Sequence, residues 1–115
     1  MSKRQLSAEL RHAKPLFAAL GDNTRLYLVG RLCVGGPLSI TRLAEGTRIS
    51  RQAVTKHLHV LKGAGLVKGA RSGREQIWEL NPESIQAARR YLDSISRQWS
   101  EALGRLKAFV EDERG

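Results

Sequence analysis

The chain has 115 residues and a mass of 12.8 kDa, room for one domain whose core gains from sharing burial with a second subunit. Its formal net charge of +9 is concentrated: residues 48–74 hold seven Lys or Arg and no Asp or Glu, while residues 1–47 net +4 and residues 75–115 net −2. No apolar run approaches the ~20 residues of a membrane span, the charged start MSKRQLSAELRHAKP argues against a secretion signal, and a single cysteine excludes an internal disulfide, so a cytoplasmic protein without membrane contact is expected.

In chain order, Leu6, Leu10, Ala13, Phe17 and Leu20 repeat at steps of four and three, one face of a first helix that Pro15 kinks or restarts and Gly21 stops. Asp22 caps a second helix whose core face would use Leu26, Val29, Leu32 and Cys33, with Cys33 read as a small buried side chain. Gly35, Gly36 and Pro37 end it. Ser39 caps a short third helix with Ile40, Leu43 and Ala44 inside, closed by Gly46, and Ser50 caps the fourth.

The fourth helix, Arg51 to Gly63, has two unlike faces. Val54, Leu58 and Leu61 belong inside, whereas Arg51, Gln52, Thr55, Lys56, His59 and Lys62 fall opposite. His57 is expected to pack beside Val54 and Leu61. Two helices joined by a short turn, spanning 39–63, with the second displaying hydrogen-bonding groups outward, have the form of a helix-turn-helix that lays its second helix in a DNA major groove. Arg and Lys donate to guanine and Gln pairs both ways with adenine.

Residues 66–80 read as a hairpin: strands around Leu66-Val67 and Ile77-Trp78-Leu80, with a basic turn at Arg71-Ser72-Gly73-Arg74. It forms a wing whose Arg71 and Arg74 reach phosphates or a minor groove. Asn81 and Pro82 open a last helix running to about Asp112, with Ile85, Ala88, Leu92, Ile95, Trp99, Ala102, Leu106 and Phe109 alternating at three and four. So long a stripe on so small a domain calls for a second copy, with Leu92, Ile95, Trp99, Leu106 and Phe109 as interface anchors. Trp78 and Tyr91 are expected to pack where wing and last helix meet.

The fold class is therefore mostly α with a small β-hairpin, a single winged helix-turn-helix domain over residues 1–115 whose last helix calls for a second copy. The stretches PLFAALGDNTRLYLV, LAEGTRISRQAVTKHLHVLKGAGLV and GREQIWELNP resemble the ArsR/SmtB family of bacterial winged-helix repressors over nearly the whole chain, with Asn23 where that family's ALxDPTR motif has proline. The resemblance implies a homodimer, dimerising through its terminal helices, that binds a palindromic double-stranded DNA operator and represses transcription. It also puts the thiolate pair of the family's third-helix metal sensor at Ser39 and Thr41, hydroxyls that are poor ligands for a soft metal. The last helix has no His for the family's interfacial metal site, so neither metal nor other cofactor is expected.

No catalytic set emerges: Ser50 and His57 lie seven apart on one helix without a carboxylate beside either, and there is no Gly-rich phosphate loop. The rival to a repressor is a helical dimer that uses the winged-helix shape to bind RNA or an acidic protein.

Overall fold

A computed structural model describes residues 2–114. Helix α1 (Lys3–Leu20) is followed by α2 (Asn23–Gly35), the two-residue strand β1 (Leu38–Ser39), α3 (Ile40–Ala44), α4 (Arg51–Gly63), the hairpin β2 (Val67–Ser72) and β3 (Glu75–Leu80), and α5 (Pro82–Arg114).

The helices begin where side chains satisfy their free N–H groups. Ser2 and Gln5 form a reciprocal capping box on α1, Asp22 Oδ2 accepts from the Arg25 N–H, Ser39 Oγ from that of Arg42 and Ser50 Oγ from that of Ala53. The Arg25 N–H bond is the main reason that the Asp22 carboxyl titrates below the usual aspartate value. Asn81 Oδ1 accepts from the Glu83 N–H, 3.3 Å, at the start of α5. Pro15 neither breaks nor restarts α1; it sits on the exposed side, where the missing N–H leaves a carbonyl open to water rather than buried.

The core lies where α1, α2 and α4 meet the sheet. Leu28, Leu43, Val54, Leu58, Leu61 and Leu66 are fully buried, and Leu16, Leu32, Val67 and Trp78 pack with them. Leu43 fixes α3 from inside, with Ile40 and Ala44 partly covered beside it. The face of α2 differs from the expected one: Leu28, Val29 and Leu32 point inward, Leu26 is exposed, and Cys33 is exposed rather than a core side chain. Apolar residues occupy nearly every side of this helix, so periodicity alone could not select the buried one.

The hairpin closes on the two-residue loop Gly73-Arg74, with Ser72 opposite Glu75. Gly73 has φ 64° and Arg74 a negative φ, the signs of a type II′ turn, whose twist matches that of the strands. Strand β1 adds to the other edge of β3, Leu38 opposite Trp78 and Ser39 opposite Ile77, making a three-stranded antiparallel sheet of order β1-β3-β2. Trp78 lies beneath Gly69, where a Cβ would sit 3.3 Å from its ring, and edge-on to His59 at 5.8 Å between centroids. Tyr91 instead meets Phe17 of α1 at 5.8 Å, so the two aromatics serve separate contacts rather than one junction of wing and last helix.

Helix α5 spans 33 residues, ~50 Å at 1.5 Å per residue. Its first half packs on α1, with Ala88 and Ser94 buried. From Trp99 to Glu113, all residues but Ala102 are exposed. This arm gives the molecule principal extents of 71 × 28 × 20 Å and a radius of gyration of 19.4 Å, against the ~13 Å of a compact chain of this length.

Candidate nucleic-acid interface

The buried stripe of Val54, Leu58 and Leu61 fixes the rotation of α4 about its axis, so the polar side must face outward. Arg51, Gln52, Lys56, His59 and Lys62 are exposed there, and Thr55 is half-buried. Thr55 donates its hydroxyl to the Arg51 carbonyl at 2.8 Å, so it can offer a base an acceptor lone pair and a methyl group but no free proton.

A cleft of about 620 Å³ opens beside the first turns of α4. Arg51, Gln52, Thr55 and Lys56 form one wall, Arg74, Glu75 and Gln76 of the hairpin form another, and Ser39, Ile40 and Thr41 line its remaining side. The structure thus brings together five of the seven residues read from the sequence as DNA contacts. His59 and Arg71 are outside this lining. His59 is one turn along α4, held edge-on by Trp78, and Arg71 is on β2 opposite Gln76, exposed near the hairpin tip.

Glu75 and Gln76 were not legible as site residues. Glu75 is the first acid after the acid-free run, and pairing of β3 with β1 sets the start of β3 beside α3, so that both residues line the cleft. An acid in a basic cleft supplies what cations cannot, an acceptor for the exocyclic amine of cytosine. Glu79 faces a different neighbour, Lys68 across the hairpin at 3.6 Å.

The flank of α4 opposite the cleft is tied to α2. His57, a quarter exposed at its side chain, is 3.8 Å from Asp22 Oδ2 and 3.4 Å from the Arg25 guanidinium. It is partly covered at the edge of the apolar stripe, with Asp22 and Arg25 as its polar neighbours. Of the two positions matching the family's metal thiolates, Ser39 is buried with its oxygen occupied as the α3 cap, and Thr41 is exposed. Among the described residues no group of three or more His, Cys, Asp or Glu is placed to hold a metal ion.

The residues proposed as dimer anchors fall into two sets. Leu92, Trp99, Leu106 and Phe109 are each more than half exposed, whereas Ile95 is partly covered by its own chain. Leu103 and Val110 extend the exposed set, at helical spacing from Leu92, Trp99 and Leu106. The single stripe read from the sequence therefore merges two neighbouring faces of α5, one turned to α1 and one left open.

Comparison with known proteins agrees with this architecture. A family described as a helix-turn-helix domain matches residues 20–70. The HTH-type transcriptional regulator Rv2034 of Mycobacterium tuberculosis is 39% identical over 95 residues, covering 83% of this chain and 85% of that protein. An ArsR-like transcriptional regulator from Rhodococcus sp. RHA1 superimposes with a TM-score of 0.73 at 31% identity, over 86% of this chain and 92% of that one. The homodimeric winged helix-turn-helix DNA-binding domain of a possible ArsR-family regulator from Mycobacterium bovis gives a TM-score of 0.63 at 25% identity, over 91% and 93%.

Proposed function

Because this chain belongs to the ArsR/SmtB family of winged helix-turn-helix transcriptional regulators, we propose that it is a DNA-binding repressor whose whole length acts as one homodimeric unit on a palindromic operator. The observation that carries this reading is the cleft in which Arg51, Gln52, Thr55 and Lys56 of α4 face Arg74 of the hairpin. It joins base-reading groups and a phosphate-seeking group on one concave surface, in the part of the chain that lacks acids until Glu75.

Two copies of α4 enter successive major grooves about 34 Å apart. Arg51 and Lys56 donate to guanine, Gln52 pairs with adenine through both atoms of its amide, and Thr55 and His59 contact neighbouring base edges. Arg71 and Arg74 hold the flanking backbone. If the dimer neutralises about six to eight phosphates, log affinity falls with log salt at a slope of about −5 to −7. Bound protein represses by occupying the operator. Hydroxyls at Ser39 and Thr41 make release through the family's usual metal sites unfavourable, so the regulation is metal-independent at those positions.

The dimer is supported by the surface that α5 leaves open. The chain exposes 8471 Å², where a compact protein of this mass presents roughly 6300 Å². A surplus on the order of 2000 Å² per chain is of the size that a permanent dimer covers. A cytoplasmic location follows from the same reading, and no helix among the described residues is long and apolar enough to cross a membrane.

The decisive experiment is selection of bound duplexes from a random pool with the full chain. The expected product is a palindrome with half-sites about 10 base pairs apart, centre to centre. Recovery without sequence enrichment, or tighter capture of single-stranded RNA, would replace the operator with an RNA or an acidic protein surface as the target.

A further inference from the structure

Arg31 is one of the cations behind the net charge of +9, yet it is outside the cleft, on α2. Its guanidinium forks onto two main-chain carbonyls at the exit of α3: NH1 donates to Glu45 O at 2.9 Å and NH2 to Arg42 O at 3.0 Å. The Tyr27 ring lies 5.9 Å beneath the guanidinium carbon, and the Tyr27 hydroxyl lies against Gly46. We infer that Arg31 is a positioning residue for operator recognition, a latch that fixes the turn from which α4 starts.

Helix α3 is intrinsically weak. A five-residue helix cannot satisfy its own C-terminal carbonyls. Its internal closing bond, Glu45 N–H to Thr41 O, is 3.3 Å. Thr47 serves Ala44 O twice, through its N–H at 3.1 Å and its hydroxyl at 2.7 Å. Arg42 O and Glu45 O are taken by Arg31, which reaches them from eleven and fourteen residues away. A cation at a helix C-terminus is electrostatically favoured, and a planar fork meets two acceptors where an ammonium meets them as a point charge.

The latch connects a rigid part to a weak one. Arg31 sits between Val29 and Leu32, which are buried in the core, so α2 cannot shift without disturbing that core. The turn it holds, Glu45 to Ile49, has no regular structure of its own and leads directly to the Ser50 cap of α4. Base reading tolerates displacements of only about 0.5 Å. A residue that never touches DNA can therefore govern the fit of Arg51 and Gln52 to base edges.

This inference rests on the operator-binding reading, and its test separates the two. Affinities of wild type, Arg31→Ala and Arg31→Lys are measured by titration on the selected operator and on a random duplex across a salt series. Thermal melting and the amide resonances of Gly46 and Thr47 are followed alongside. A positioning role predicts an operator affinity about tenfold lower in Arg31→Ala, with random-duplex affinity, salt slope and melting nearly unchanged, shifted Gly46 and Thr47 amides, and incomplete rescue by Lys. Equal weakening of both duplexes with a shallower slope, restored by Lys, would make Arg31 a phosphate contact and overturn the latch. A lower melting temperature with an unchanged operator-to-random ratio would reduce it to a stabilising contact, and no change in any readout would also overturn it. If wild type fails to distinguish operator from random DNA, the operator reading falls, while unmoved Gly46 and Thr47 amides in Arg31→Ala would overturn the latch on their own.

Discussion

Helices α4 and α5 are both amphipathic, but they leave opposite faces uncovered. In α4 the apolar stripe of Val54, Leu58 and Leu61 is fully buried in its own chain, and what remains outside, apart from Val60, is polar: Arg51, Gln52, Lys56, His59 and Lys62. In the outer half of α5 the apolar residues themselves remain outside: Trp99 is 64% exposed and Phe109 61%. A polar free face needs a polar partner, and an apolar free face needs an apolar one. One small chain thus carries two unfinished surfaces with different chemistry, and the proposed dimeric repressor completes one with DNA and the other with its own copy.

The largest effect should come from spoiling the apolar surface. In Trp99→Glu a carboxylate replaces the indole at the middle of the exposed stripe, and dimers should become monomers on a sizing column. Because the proposed operator binding is bivalent, affinity should then fall by roughly 10² to 10⁴ even though every proposed DNA contact is intact. An unchanged elution volume would mean that α5 does not supply the dimer contact, and the contrast between the two helices would lose its meaning.

Next comes the hidden side of α4. Leu58→Ala removes a fully buried side chain between Val54 and Leu61 and should lower unfolding free energy by about 2–5 kcal/mol, read from urea denaturation. A loss below 1 kcal/mol would show that the stripe does not anchor the helix, and that the orientation of its outer face is set elsewhere.

The contrast also explains which parts could be read from sequence. Helix α4 was legible because a serine cap, a clean 3.6-residue stripe and a polar reverse coincide at Ser50 to Gly63. Helix α2 was not, because Leu26, Tyr27, Leu28, Val29, Leu32, Cys33 and Val34 give apolar residues in almost every direction, and tertiary packing chose Leu28, Val29 and Leu32. In α5 the heptad-like alternation was real, but a straight helix spreads it over two faces, so Ile95 went toward its own chain and Leu103 and Val110 were overlooked. Strand β1 is two residues long and exists only through its partner β3, nearly forty positions away. Local pattern cannot reveal such pairing, and with it went the placement of Glu75 and Gln76 in the cleft.

Within the polar surface, Gln52 should matter for sequence and less for charge. Gln52→Ala removes a neutral side chain from the cleft wall, so it should cost about 1–3 kcal/mol of discrimination at one base in each half-site. Affinity for random duplex should be nearly unchanged. Competition binding against single-base operator variants measures this, and equal loss on operator and random DNA would remove Gln52 from the reading set.

The smallest change, and the one that separates charge from reading most cleanly, is Arg71→Ala. Arg71 is exposed on β2 and outside the cleft lining, close to the tip that Gly73 and Arg74 close. A cation in that position recognises phosphate, which every duplex has, so its loss should weaken operator and random DNA by the same factor. It should also make the salt slope shallower by about one for each protomer. Gln52→Ala, which removes no charge, should leave that slope alone. If Arg71→Ala instead changed the preferred bases with the slope unaltered, Arg71 would be reading a groove, and sequence recognition would extend from α4 onto the wing.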